Sequence, residues 1–71
     1  MQRKIKIRTE YITLGQFLKY VNVIGSGAEA KAFLQENMAN VNGEQENRRG
    51  RKLYPGYIVI VCGEEYFIQG E

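Results

Sequence analysis

The chain contains no histidine and a single cysteine, Cys62, and these two shortages exclude a good deal. Without histidine the commonest general base is gone, and so is any Ser-His or Cys-His pair for nucleophilic catalysis. The usual zinc ligands are missing too, so neither a metal nor another cofactor is expected. One cysteine cannot close a disulfide within the chain, and a free thiol fits a reducing cytoplasm, the expected location. Long hydrophobic runs are also lacking. The longest strongly apolar stretch, 57–62, is far too short to cross a bilayer. The N-terminus is charged and alternating, with no apolar segment of a signal peptide behind it. A soluble protein without a membrane partner follows. The eight carboxylates include no convincing acid and base pair, and Glu64-Glu65 falls at a hairpin tip. An enzyme acting on a small-molecule substrate is therefore the least expected class.

What is present is a short, basic chain. Seventy-one residues allow one domain, which at this size buries only roughly 60% of the surface its unfolded form exposes. The net charge of +2 is modest, but eight of the ten basic residues fall into two clusters. Arg3, Lys4, Lys6 and Arg8 form one, and Arg48, Arg49, Arg51 and Lys52 the other. Such clustering suits a polyanionic partner. For the first cluster a second reading is at least as good: lysines and arginines on an exposed strand block edge-to-edge aggregation.

The first cluster lies in a strand over 3–8, where Ile5 and Ile7 alternate with Lys4, Lys6 and Arg8. Thr13 is a plausible N-cap for a helix through about Val21, with Leu14, Phe17, Leu18 and Val21 as its apolar stripe and Gln16 and Lys19 on the wet side. Asn22 suits the left-handed residue that ends such a helix, and Val23 and Ile24 tuck under the corner. Ser26 and Glu29 have capping-box spacing, which places a second helix from about Gly27 to Glu36. Its buried stripe is Ala30, Phe33 and Leu34. Beyond Asn37 the pattern is β: a strand over 38–41, an Asn42-Gly43 hairpin pair, and a polar return strand from Glu44. Tyr54-Pro55-Gly56-Tyr57 reads as a type II turn. Residues 57–62 are apolar on both faces and are expected to be the central strand. A tight turn of Gly63 with Glu64 leads to a last strand, 66–69.

The stretch from Val41 to Gly56 carries the strongest chemistry. It opens on the Asn-Gly pair, closes on the Pro-Gly turn and holds Arg48-Arg49-Gly50-Arg51-Lys52 between them. Arginine presents a planar fork of donors that matches phosphate oxygens in pairs and stacks on exposed bases. Anchored between two tight turns, such a loop loses less entropy on binding than a free tail. Ala28, Lys31 and Gln35 line a nearly flat face of the second helix, where Lys31 and the N–H groups near Ser26 can receive a phosphate or simply face solvent. The aromatic residues are mostly assigned to the core, including Phe17, Phe33 and Phe67. Tyr54, next to both loop and turn, remains open as a stacking platform for a base.

This order of elements resembles the S4 RNA-binding domain. The residues that carry the resemblance are Leu14 to Leu18, Ser26 with Glu29-Ala30-Lys31, Val41-Asn42-Gly43, and Leu53-Tyr54-Pro55-Gly56, and the match runs from about 13 to 61. Phe17-Leu18 and the run from Asn47 to Leu53 are most similar to the small stand-alone S4 proteins of the YaaA type in Gram-positive bacteria. The resemblance implies an α+β fold of the S4-like (αL) kind, with two helices packed on a small, bent antiparallel sheet over the single domain 1–71. It also implies that structured RNA, often ribosomal, binds across the second helix and the loop; the protein itself is expected to be a non-catalytic monomer. The RNA-binding residues so implied are Ser26, Lys31, Arg48, Arg49, Arg51 and Lys52, with Tyr54 added from the reading above. Many S4 domains carry arginines where this chain has Gly27 and Ala28, which moves the electrostatic burden to the loop.

Two functions of different class remain. One is RNA binding, mainly through phosphates, with shape supplying selectivity. The other is a protein-interaction adaptor whose basic loop grips an acidic partner surface. If four loop cations each neutralise one phosphate, log K falls with log[salt] at a slope of about −3 to −4. Replacing all four by glutamine is then expected to abolish binding and leave thermal unfolding nearly unchanged.

Overall fold

Period-two alternation at the start of the chain does produce a strand. In the computed structural model, which describes residues 2–71, β1 covers Gln2–Ile7 and turns Ile7 into the core while Lys4 and Lys6 face solvent. A two-residue strand, β2 (Ile12–Thr13), leads directly into α1 (Leu14–Tyr20). Thr13 caps the helix as expected, and its Oγ1 accepts from the Gln16 N–H at 3.3 Å. Gln16, assigned to the wet face, returns the favour: its side-chain oxygen accepts from the Thr13 N–H at 3.1 Å and completes a capping box. Asn22 ends the helix at φ 62°, as its tolerance of the left-handed region suggests.

The second helix begins later than Ser26 and Glu29 imply. Gly27–Glu29 forms a single 3₁₀ turn, and α2 covers Ala30–Glu36. The Ser26 side chain makes no capping hydrogen bond; only its carbonyl is engaged, accepting from the Glu29 N–H at 3.1 Å. The capping box therefore belongs to the first helix. Ala30 and Leu34 are buried and Phe33 half-buried, which keeps the expected stripe.

The remaining strands are β3 (Ala39–Val41), β4 (Glu44–Glu46), β5 (Lys52–Leu53), β6 (Ile58–Val61) and β7 (Glu64–Gly70). They form a five-stranded sheet in the order β1-β7-β6-β3-β4, with β2 and β5 paired as a separate two-stranded ladder. The β3–β4, β3–β6 and β6–β7 pairs are antiparallel. β1, however, runs parallel to β7, so the sheet is mixed where an antiparallel one was expected. The reason is topological: both helices and the other strands intervene between β1 and β7, and the chain returns to that edge by a crossover rather than a hairpin.

Both hairpin turns place two consecutive residues at positive φ. At β3–β4 these are Asn42 (φ 52°) and Gly43 (φ 89°), and at β6–β7 they are Cys62 (φ 52°) and Gly63 (φ 77°). Since Val61 pairs with Glu64, the second turn is Cys62-Gly63, one residue earlier than read from sequence. Gly56 at φ 97° and a Tyr57 N–H donating to the Tyr54 carbonyl at 3.0 Å build the Pro-Gly turn as expected.

β6 is central, but only one of its faces is covered. Val59 and Val61 are buried whereas Ile58 and Ile60 are 36% and 39% exposed. Phe67, in register with Ile58, lies with them on the open side, half-buried and outside the core that the sequence suggests for it. The covered side of the sheet carries Val41, Val59, Val61, Tyr66 and Ile68, against which Leu14, Phe17, Leu18 and Leu34 pack. Phe17 meets Tyr66 edge to face, with centroids 5.1 Å apart. Among the described residues, no helix is long and apolar enough to cross a membrane.

Candidate functional site

The basic loop is organised by an acidic residue. Register in the β3–β4 hairpin sets Glu46 opposite Ala39, and paired residues share a face, so Glu46 points to the covered side. It is 5% exposed. A lone carboxylate there would be costly; instead the loop folds back over it. Oε2 accepts from the N–H groups of Asn47 (3.1 Å) and Arg48 (3.0 Å) and from Arg48 Nε (2.9 Å). Oε1 accepts from Arg48 Nη2 (3.0 Å) and Arg51 Nη1 (2.9 Å). The bidentate Arg48 contact, helped by the backbone and by Arg51, outweighs burial and holds the Glu46 carboxyl at about 2, well below the usual carboxylate range. Both guanidiniums are correspondingly pushed up by their bonds to Glu46.

The same loop is stitched to the start of α1. The first free N–H groups of that helix do not point at solvent: Leu14 donates to the Arg51 carbonyl (2.8 Å) and Gly15 to the Arg49 carbonyl (2.9 Å). The approach is close. A Cβ on Gly15 would stand 3.4 Å from both Arg49 Cβ and the Arg49 carbonyl oxygen, and 3.5 Å from Ala30 Cβ. Gly15 thus lies where α1, α2 and the loop meet, in a space that an added methyl would fill at ordinary contact distance.

Four cations thus have unequal roles. Arg48 and Arg51 fasten the loop, with side chains 74% and 23% exposed. Arg49 and Lys52 are available, having no ion pair among the described residues. Replacing all four would therefore strip the buried Glu46 of its cationic side-chain partners, and the expectation of unchanged thermal unfolding does not survive the structure.

An aromatic patch, unread in the sequence except for Tyr54, adjoins the loop. Ile12 pairs with Leu53 in the β2–β5 ladder, which brings the next residues outward, Tyr11 and Tyr54, together with centroids 5.7 Å apart. The Pro-Gly turn then returns Tyr57 to within 5.8 Å of Tyr54. Lys52 Nζ stands 4.9 Å from the Tyr11 ring centre, and the Arg51 guanidinium lies 6.0 Å from that of Tyr57. Arg48, Gly50, Arg51, Lys52, Tyr54 and Tyr57 line a groove of about 460 Å³. Arg49 turns instead to a neighbouring cleft with Thr13, Gly15 and Gly27. Ser26 and Lys31 are exposed and line neither.

The first basic cluster is divided. Arg8 contacts Glu71 at 3.0 Å and Arg3 approaches Glu64 at 3.5 Å, both in solvent-exposed positions that contribute little to stability. Among the described residues, no group of three or more His, Cys, Asp or Glu side chains is placed to hold a metal ion.

The chain is 57% identical over 63 residues, 89% of its own length and 89% of the relative's, to the probable ribosome maturation protein RlbA of Bacillus subtilis (strain 168). No solved structure matches it. The family model described as the S4 domain matches residues 5–69, which takes in both helices, the arginine-clamped loop and the strands around them: the chain belongs to the S4 domain family.

Proposed function

We propose that this protein binds structured RNA, ribosomal RNA in the first place, as a non-catalytic factor, through the loop 47–52 and the adjoining tyrosine patch. The observation that carries the reading is the Glu46 clamp. A buried carboxylate that uses two arginines to fix a loop, while Arg49 and Lys52 project from it unpaired, is a rigid mount for cations. Such a mount lowers the ordering cost of meeting a phosphate backbone. Membership of the S4 domain family supports the RNA class, and the name of the B. subtilis relative supports a ribosomal setting. Ser26 and Lys31 contribute at the margin of the interface, beyond Gly27 and the Arg49 cleft.

The test is crosslinking in living cells followed by sequencing of the attached RNA. Ribosomal RNA should be enriched over other transcripts, and the Arg49→Gln/Lys52→Gln double variant should lower the yield several-fold. Absence of RNA above background, with a protein partner retained after nuclease treatment, would favour the adaptor instead.

A further inference from the structure

Tyr11, Tyr54 and Tyr57 come from three separate segments, yet the β2–β5 ladder and the Pro-Gly turn draw them into one row. Core packing accounts for only one of them. Tyr57 leans on the buried cluster, while Tyr11 and Tyr54 lie outside it and are half-exposed. Their rings are tilted by 50° and 62° at the two contacts, so no ring lies flat on its neighbour. Cationic side chains flank the row: Lys52 over Tyr11 and Arg51 beside Tyr57, with Arg48 lining the same groove. Aromatic faces beside phosphate-matching cations make up the chemistry that recognises a nucleotide whose base is out of its helix. A paired A-form stem shows side chains its phosphates and 2′-hydroxyls but keeps its base faces stacked away.

We infer that the groove between the loop and the Pro-Gly turn is a subsite for one unpaired nucleotide, its base against Tyr54 and its phosphate on Lys52. The inference rests on the RNA-binding reading and sharpens it: the preferred substrate is a stem interrupted by an extrahelical nucleotide, not a continuous duplex. Tyr54 supplies the stacking surface, and Tyr11 and Tyr57 hold it in place from either side.

The test uses two RNA duplexes with the same stem, one carrying a single bulged adenosine, and measures binding of each by fluorescence anisotropy. The bulged duplex should bind about 10-fold more tightly, the size expected for one base stacked on an aromatic ring. Tyr54→Leu should collapse the ratio of the two affinities towards one, and Tyr54→Phe, which keeps the ring, should restore it. A wild-type protein that binds both duplexes equally overturns the subsite while RNA binding stands. Tyr54→Leu with the ratio intact overturns it as well, and binding to neither duplex removes the subsite along with the RNA reading.

Discussion

Glu46 decides more about the loop than any arginine in it. Glu46→Gln keeps the shape but removes the charge that Arg48 and Arg51 converge on, and it should cost about 2 kcal/mol, lowering Tm by roughly 8–16 °C in a chain of this size. The effect has a definite pH dependence. The folded carboxyl titrates at about 2 against an ordinary 4.5, so on acidification the unfolded chain takes up the proton first. The contribution is complete above the ordinary value and is lost as pH falls from about 4.5 towards 2. Thermal melts of wild type and Glu46→Gln should therefore differ at neutral pH and converge near pH 2; a constant gap would deny Glu46 its clamp. This residue was within reach of the sequence. A two-residue Asn42-Gly43 turn sets the register, and counting back from it places Glu46 opposite Ala39, on the covered side. The return strand is polar throughout, so no apolar residue marks its one buried position, and in sequence the four loop cations look alike.

At the scale of elements, local signals were legible and long-range pairings were not. The Thr13 cap, the α1 stripe, the Asn22 stop and the Asn-Gly and Pro-Gly turns all follow from the chemistry of a few neighbouring residues. The Ser26–Glu29 pair has equally good spacing but starts only a 3₁₀ turn, because spacing does not oblige a side chain to bond. Tyr11 was invisible as a site residue because its place depends on β2 meeting β5, and nothing in either two-residue segment announces the other. The parallel β1–β7 edge was hidden for the same reason, as was the one-sided burial of β6. The two hairpin turns offer a comparison within one molecule. Both need two residues at positive φ, yet one uses Asn-Gly and the other Cys-Gly. Cysteine is strained at φ 52° in a way asparagine is not. Cys62→Asn should stabilise the protein by about 0.5–1 kcal/mol, measured by urea denaturation with an unchanged m value; a loss of stability would show that the thiol makes a contribution of its own.

For the whole molecule, charge has to be counted after pairing. The four loop cations carry Glu46 among them, which leaves a net charge near +3 where separate arginines and a lysine suggested +4. Lys4 and Lys6 lie on the open face of the sheet, while the clamped loop meets the start of α1, whose core-facing residues pack against the covered face. RNA binding through that loop should then depend on salt slightly less than four independent phosphate contacts would. The most direct measurement is the affinity for ribosomal RNA across a series of salt concentrations, for wild type and for Arg49→Gln/Lys52→Gln. A slope of log K against log[salt] of about −2 to −3 is expected for wild type, and a clearly shallower one for the double variant. A flat dependence, or the same slope for both proteins, would contradict a loop that binds RNA through its unpaired cations.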